Sequence, residues 1–172
     1  MLQFQNGDKE AFNRLYVLLK PSLYAFLFRF TKDEQLSIDL VQDSFIKLHT
    51  NSRNYNPSKA SVKTYLFQIA YHLMITKVNR RKTWQRIVPF LVPRTTDTPL
   101  YEDRITIREA ISKLPESQRA VVLLSYYHEM THSEISEVIG IPVGTVKSRL
   151  HHSIKNLRQL LEVDTIGKER AE

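Results

Sequence analysis

The stretch THSEISEVIGIPVGTVKSRL, residues 131–150, decides how the second half of this chain folds. Thr131 is followed three residues later by Glu134, which is the spacing of a capping box at the start of a helix. Gly140 suits the left-handed backbone that ends a helix, and Pro142 suits the first turn of the next one. The stretch therefore predicts two helices joined by a tight turn, the outline of a DNA-reading helix-turn-helix.

The second helix of this motif has an apolar side and a basic polar side. No Asp or Glu occurs from residue 138 to residue 161, so a phosphate backbone would meet no carboxylate there. We interpret the polar side as a DNA-binding surface, the alternative being one solvated face of an amphipathic helix. Its members are Gly144, Ser148, His151, His152 and Lys155, flanked by Lys147 and Arg149.

Composition limits the classes of protein that need to be considered. The 172 residues carry a formal net charge of +7, which indicates an anionic partner without separating nucleic acid from an acidic membrane or protein. Cysteine is absent, which excludes disulfides, thiolate metal sites and a cysteine nucleophile. No run reaches transmembrane length, and residues 1–9 are too polar for a signal peptide. We expect a cytoplasmic protein with no direct membrane insertion.

Helical periodicity dominates, and no alternating strand pattern is flanked by hairpin turns, so we predict an all-α fold. The helical periodicity is interrupted by three prolines, Pro89, Pro93 and Pro99. We therefore predict an extended linker over residues 89–103. We therefore expect two small helical domains, the second ending in the helix-turn-helix. The predicted boundaries are 1–88 and 104–162, with a tail at 163–172.

Apolar spacing predicts the helices of these domains and their buried sides. In the helix expected over residues 33–49, Phe45 is ambiguous between the core and an exposed contact. Four other apolar residues of that helix are expected to be buried: Leu36, Leu40, Ile46 and Leu48. One or two helices are also expected over residues 8–30, and one helix each over residues 62–81 and 116–129.

A second basic surface is predicted in the first half, because no acid lies between residues 44 and 96. We interpret the basic patch at residues 77–86 as a set of phosphate contacts, in preference to a merely solvated face. Its members are Lys77, Arg80, Arg81, Lys82 and Arg86. Aromatic residues interleaved with these cations could stack on unpaired bases, although aromatic residues on helices more often belong to the core. They are Tyr55, Tyr65, Tyr71, His72 and Trp84.

Four segments, in order along nearly the whole chain, resemble extracytoplasmic-function (ECF) sigma factors, the smallest members of the bacterial sigma-70 family. They are GDKEAF (7–12), DLVQDSFIKLH (39–49), TYLFQIAYHLMITKVNRRK (64–82) and the segment 114–158. The resemblance implies a transcription initiation factor that is not an enzyme. Its implied partners are core RNA polymerase, promoter DNA and an anti-sigma protein, with no cofactor, metal or catalytic residue.

The resemblance also implies roles for individual residues. Asp39, Gln42, Asp43 and Phe45 would dock on a coiled coil of the largest polymerase subunit. The minus-10 promoter element would be read by the loop 54–61, including Asn54 and Tyr55, together with Tyr65 and His72, where the family commonly has Trp and Asn. The minus-35 element would meet Gly144, Thr145, Ser148, His151 and His152, with Lys147 and Arg149 at phosphates.

Two other functions remain as alternatives. A helix-turn-helix regulator would bind operators without being a polymerase subunit. A metallohydrolase would use His128, Glu129 and His132, which match the HExxH zinc pattern. Because the capping box starts a helix at Thr131, the two histidines should not share one helix, and we expect no metal site.

Overall fold

The computed structural model describes residues 1–87 and 106–169, with side chains described for residues 1–84 and 106–161. Eight α-helices account for most of this part of the chain, and no strand occurs in it, which confirms the all-α prediction. The linker expected at residues 89–103 lies outside the described residues.

The first half contains four helices with short connections. Asp8 and Asp33 cap the second and third of them, each side chain accepting a hydrogen bond from the backbone N–H three residues later. A single 3₁₀ turn (Ser52–Asn54) follows the third helix. The helices are α1 (Leu2–Gln5), α2 (Lys9–Thr31), α3 (Glu34–Thr50) and α4 (Val62–Ile87).

The second half contains the other four helices. The helix expected over residues 116–129 is shorter, because it widens into one π turn (Leu123–Tyr127) and ends before His128. The last helix is longer than expected and continues into the predicted tail. The helices are α5 (Ile107–Lys113), α6 (Glu116–Val122), α7 (His132–Ile139) and α8 (Val143–Glu169).

The helix-turn-helix forms as its capping residues predict. Thr131 Oγ1 accepts a hydrogen bond from the Glu134 N–H at 3.2 Å, and Glu134 Oε2 accepts one from the Thr131 N–H at 2.9 Å. Gly140 closes α7 in the left-handed region with φ 77°. The prediction of two helices and a tight turn is therefore confirmed.

Replacing Gly140 by alanine should destabilise the fold by about 1 to 2 kcal/mol, because a residue with a Cβ is strained at this positive φ. An added Cβ would meet no atom within 4 Å, so the backbone is the only cause of the cost. Gly144→Ala is the matched control: its Cβ also meets open space, and its φ is not positive. Urea unfolding should show it unchanged or stabilised by up to about 1 kcal/mol. Equal losses in both variants would contradict this account of the turn.

The two halves share one hydrophobic core, which periodicity alone did not indicate. Helix α4 packs along α7, and α2 packs against the π turn. The buried cluster includes Phe26 and Phe67 from the first half, and Leu124, Ile135 and Val138 from the second. In this arrangement the two helical units are in direct contact as well as joined through the chain.

One burial prediction in α3 is wrong. Ile46 is 61% exposed, whereas Phe45 is 4% exposed and belongs to the core. The inward side of α3 also includes Ser44, whose hydroxyl donates to the Leu40 carbonyl at 2.6 Å and is thereby satisfied without water. Because a serine and Phe45 occupy the buried side, Ile46 is rotated to the surface.

Candidate nucleic-acid interface

The polar side of α8 lies on the surface, next to the turn of the helix-turn-helix. Val146, on the other side of the helix, is fully buried and anchors α8 to the rest of the second half. Of the predicted residues, Thr145 and Arg149 are half-buried. The remaining six are exposed: Gly144, Lys147, Ser148, His151, His152 and Lys155.

Hydrogen bonds on this side of α8 stay within the helix. Ser148 Oγ donates to the Thr145 carbonyl at 3.0 Å, and His152 Nδ1 donates to the Ser148 carbonyl at 2.7 Å. The His151 and His152 rings meet edge to face, with centroids 5.7 Å apart. Within the described side chains, no ion pair involves a cation of α8. The positive charge of this surface is therefore available to phosphates.

Arg149 differs from the other cations of α8 because it lies towards the first half. Burial raises the pKa of the Tyr71 hydroxyl on α4, and the nearby positive charge of Arg149 opposes that rise. The Arg149 guanidinium therefore lies close enough to Tyr71 of α4 to act on it electrostatically.

The predicted minus-10 residues Tyr55 and Tyr65 come together. Their ring centroids lie 5.6 Å apart, and the Tyr55 hydroxyl donates to the Ala60 carbonyl at 3.1 Å, which closes the loop between α3 and α4. Gln5 on α1 donates to the carbonyls of Ser52 and Tyr55 at 2.7 and 3.1 Å. Sequence reasoning missed Gln5, because no local pattern connects it with a loop 50 residues away.

His72 lies two turns beyond Tyr65 on the same side of α4 and is exposed. Its Nδ1 donates to the Gln68 carbonyl at 2.8 Å, which fixes the tautomer and leaves Nε2 as an acceptor. Gln68 lies between the two on this stripe, and its side chain donates to the Glu137 carbonyl of α7 at 3.0 Å. The second half therefore borders the predicted minus-10 surface directly.

The basic residues at the end of α4 are less free than the sequence suggested. Lys77 Nζ lies 2.7 Å from Asp43 Oδ2, and Arg81 Nη1 lies 2.8 Å from Asp33 Oδ2. Arg80 is exposed and has no ion pair within the part of the chain whose side chains are described. Ion pairs between side chains as exposed as these contribute less than about 1 kcal/mol to the stability of the fold. A phosphate could therefore compete with either carboxylate.

The predicted polymerase-binding residues lie along α3. Gln42 is exposed, Asp39 and Asp43 are half-buried, and Phe45 forms the floor of a surface cleft rather than an exposed contact. The Phe45 ring packs against Tyr16 with centroids 4.7 Å apart. The cleft measures about 410 Å³ and is lined by Phe12, Tyr16, Gln42, Phe45, Ile46, His49 and Thr50.

The HExxH residues do not form a single-helix zinc site. His128 follows the π turn, His132 is the first residue of α7, and Glu129 between them has a positive φ of 53°. His128 is 5% exposed, with its Nδ1 3.2 Å from the hydroxyl of Ser22 on α2. Within the described residues, no group of three or more His, Asp or Glu is arranged to hold a metal.

Comparison with known proteins identifies both halves of the chain. The family model for sigma-70 region 2 matches residues 15–84, and the model for sigma-70 region 4 matches residues 104–157. The chain belongs to the sigma-70 family, in its ECF group. Region 2 thus contains the Tyr55–Tyr65 pair and most of the α3 cleft, and region 4 contains the helix-turn-helix.

Individual members of the sigma-70 family resemble this chain over most of its length. The ECF sigma factor SigW of Bacillus subtilis is 29% identical over 175 residues, covering 92% of this chain and 93% of SigW. The ECF sigma factor RpoE of Cereibacter sphaeroides is 28% identical over 157 residues, covering 88% and 87%.

Two solved structures share the sigma fold. The sigma factor RpoE of Bartonella quintana, in complex with the anti-sigma factor NepR, has a TM-score of 0.73 at 20% identity, covering 90% of this chain and 99% of that one. CnrH, in complex with the cytosolic domain of CnrY, has a TM-score of 0.73 at 21% identity, covering 95% of each chain. Separately, no helix in the described ranges has the length and apolar character needed to cross a membrane.

Proposed function

We propose that this chain is an ECF-type sigma subunit that binds core RNA polymerase and directs it to two-part promoters. The observation that carries the proposal is the order of regions 2 and 4 in one chain, each with an exposed cationic surface. The chain itself performs no chemistry and acts in the cytoplasm. We also propose domain boundaries at 1–88 and 104–162, which the family-model matches over residues 15–84 and 104–157 support.

In the proposed complex, α8 lies in the major groove of the minus-35 element. Ser148, His151 and His152 face base edges, and Gly144 allows the backbone to come close, because nothing occupies the space beside its Cα. Lys147, Arg149 and Lys155 contact phosphates, and Thr145 supports the first turn of the helix.

Lys147→Ala should weaken minus-35 binding by a similar factor on every sequence, because a phosphate contact carries no base information. The slope of log K against log salt should fall by about 1 for the one cation removed. Fluorescence anisotropy over a salt series measures both effects. Lys113→Ala is the control, since Lys113 is exposed at the end of α5 and outside the α8 surface. Loss of discrimination between sequences in Lys147→Ala would instead place this residue at a base.

At the minus-10 element, Tyr55, Tyr65 and His72 would stack on or border a base taken out of the duplex. Base stacking on aromatic side chains contributes about 1 to 3 kcal/mol per base, which offsets an unstacking cost of a few kcal/mol. Asn54 lies at the edge of the same loop. Arg80 would reach phosphates directly, and Lys77 and Arg81 would exchange their carboxylate partners for phosphate.

Polymerase docking would use the α3 cleft. Gln42 and Phe45 line this cleft, and Asp39 and Asp43 lie beside it on α3. Together they would form the docking surface, matching the family segment that meets a polymerase coiled coil. In the similar solved structures, RpoE is bound to the anti-sigma factor NepR, and CnrH is bound to the cytosolic domain of CnrY. By the same likeness we propose an anti-sigma partner for this chain that covers the polymerase-binding surface.

Mapping the genomic sites of the tagged chain together with polymerase tests the function. We expect the chain and polymerase at the same sites, upstream of transcription starts and sharing a two-part motif. Occupied sites that lack polymerase would support an operator-binding regulator in its place.

A further inference from the structure

The His128 ring, from the second half, fills a pocket of the first half. It contacts the rings of Phe26 and Phe67, with centroids at 5.7 and 5.0 Å, and its Nδ1 lies 3.2 Å from Ser22 Oγ. Its Nε2 is buried and has no hydrogen-bond partner. The ring is therefore held by packing and by a single polar contact, all of them across the boundary between the halves.

Polar contacts around this ring also join the two halves. Lys63 Nζ on α4 donates to the His128 carbonyl at 2.9 Å, and Arg119 Nη1 on α6 donates to the Phe30 carbonyl at the end of α2 at 2.9 Å. Two further charged contacts lie at the edges of the interface. They are the Lys82–Glu116 ion pair at 2.8 Å and the Arg29 guanidinium 4.6 Å above the Tyr127 ring.

This interface lies beside the stripe of α4 that would read the minus-10 element. Thr64 Oγ1 donates to Glu134 Oε1 at 3.3 Å, and Gln68 donates to the Glu137 carbonyl, so α7 is bonded to α4 at two successive turns. Gln68 lies between Tyr65 and His72 on that stripe. Because α7 is bonded to Gln68 in the middle of this stripe, a single strand that follows the whole stripe would have to displace that contact.

We propose that His128 is the centre of a latch that holds regions 2 and 4 closed, so that the halves must separate before the minus-10 stripe can bind DNA. The proposal rests on the proposed function for its consequence, whereas the latch itself is a property of the isolated chain. Separation would expose the apolar pocket of Phe26 and Phe67 to water. The free energy of polymerase binding would have to offset the free-energy cost of that exposure.

The latch should weaken in acid. His128 faces Arg29 on α2 and Lys63 on α4, and Lys63 in turn faces the carboxylate of Glu134 on α7. Burial and the two cations lower the pKa of His128 from 6.5 to about 4 in the closed form. The closed form holds His128 neutral, so its stability is complete above pH 6.5 and is lost progressively as the pH falls towards 4. At pH 5.5 the ratio of closed to open chain should be about tenfold lower than at pH 7.5.

Spin labels can measure the opening directly, because the native chain has no cysteine. Asn13→Cys and Gln159→Cys place one label on an exposed site of each half. In the full-length chain at pH 7.5 we expect one narrow distance distribution, which broadens to longer distances as the pH falls towards 4. His128→Lys should give the broad distribution at pH 7.5, because it places a charge in the pocket. His128→Phe should stay closed at both pH values, because it keeps the ring and removes the titrating group.

Control variants keep the test decisive. His132→Lys adds the same charge at the start of α7 and should stay closed. If His128→Lys loses its helical circular dichroism, Lys63→Met replaces it at pH 7.5, because it removes the donor to the His128 carbonyl. Lys59→Met, at an exposed site, is its control. An unchanged narrow distribution in the folded opening variant, or identical pH responses in His128→Phe and the native chain, would overturn the latch. Either result would leave the proposed function standing if the chain still directs transcription, and absence of transcription would count against the function alone.

Discussion

Asp43→Arg is expected to lower polymerase-dependent transcription by at least about 100-fold, while DNA binding by α8 stays unchanged. Asp43 lies on α3 next to Gln42, which lines the cleft, and its Oδ2 lies 2.7 Å from Lys77 Nζ on α4. The substitution replaces a carboxylate at the proposed polymerase contact with a guanidinium. If the polymerase offers a cation there, like charges oppose each other across the interface, which costs several kcal/mol. Each 1.4 kcal/mol is tenfold in affinity. Co-purification with core enzyme and promoter-directed transcription measure the loss.

A double variant separates polymerase binding from packing between α3 and α4. Asp43→Arg combined with Lys77→Glu restores an ion pair of reversed polarity at the same place. We expect it to remain defective, because the polymerase would still meet the wrong charge. Recovery of transcription in the double variant would mean that Asp43 acts by holding α3 to α4. Glu10→Arg, an equal charge reversal at an exposed site on α2, should have little effect.

Phe67→Ala should lower the free energy of unfolding by about 3 to 5 kcal/mol, a large share of the stability of a chain this size. Phe67 is fully buried, packs on Phe26 with centroids 5.4 Å apart, and contacts His128 across the boundary between the halves. Truncation leaves a cavity in the shared core. Urea unfolding followed by circular dichroism gives the change.

Phe28→Ala is the matched control for this truncation. Phe28 is 39% exposed and stacks on Tyr24, so its loss should cost much less than that of Phe67. Because one core includes residues of both halves, the native chain should unfold in a single transition at pH 7.5. Two separated transitions, or equal costs for the two variants, would contradict the shared core.

Local signals in the sequence were sufficient for the elements of the fold. Thr131, Glu134 and Gly140 act through hydrogen bonds and dihedral angles within a few residues, so the structure confirms what their spacing predicts. The exposed cationic side of α8 followed from periodicity in the same way. The same local signal placed the start of a helix between His128 and His132, and α7 begins there.

Contacts between distant segments could not be read from the sequence. Periodicity indicates which side of a helix is buried and does not name its partner, so the pairing of Lys77 with Asp43 was not foreseen. The place of His128 depends on Phe26 and Phe67, which are more than 60 residues away along the chain. Ile46 was misplaced because Ser44 satisfies its own hydroxyl inside α3 and can therefore take a buried position.

By the proposed function, this one chain gives core RNA polymerase its promoter specificity. Run-off transcription with purified full-length chain and core enzyme, on a library of fragments from the source genome, tests it most directly. We expect discrete transcripts that require the chain and a two-part promoter, and that disappear with Asp43→Arg. No chain-dependent transcript from any fragment, under conditions where a known sigma factor activates the same core enzyme, would contradict it.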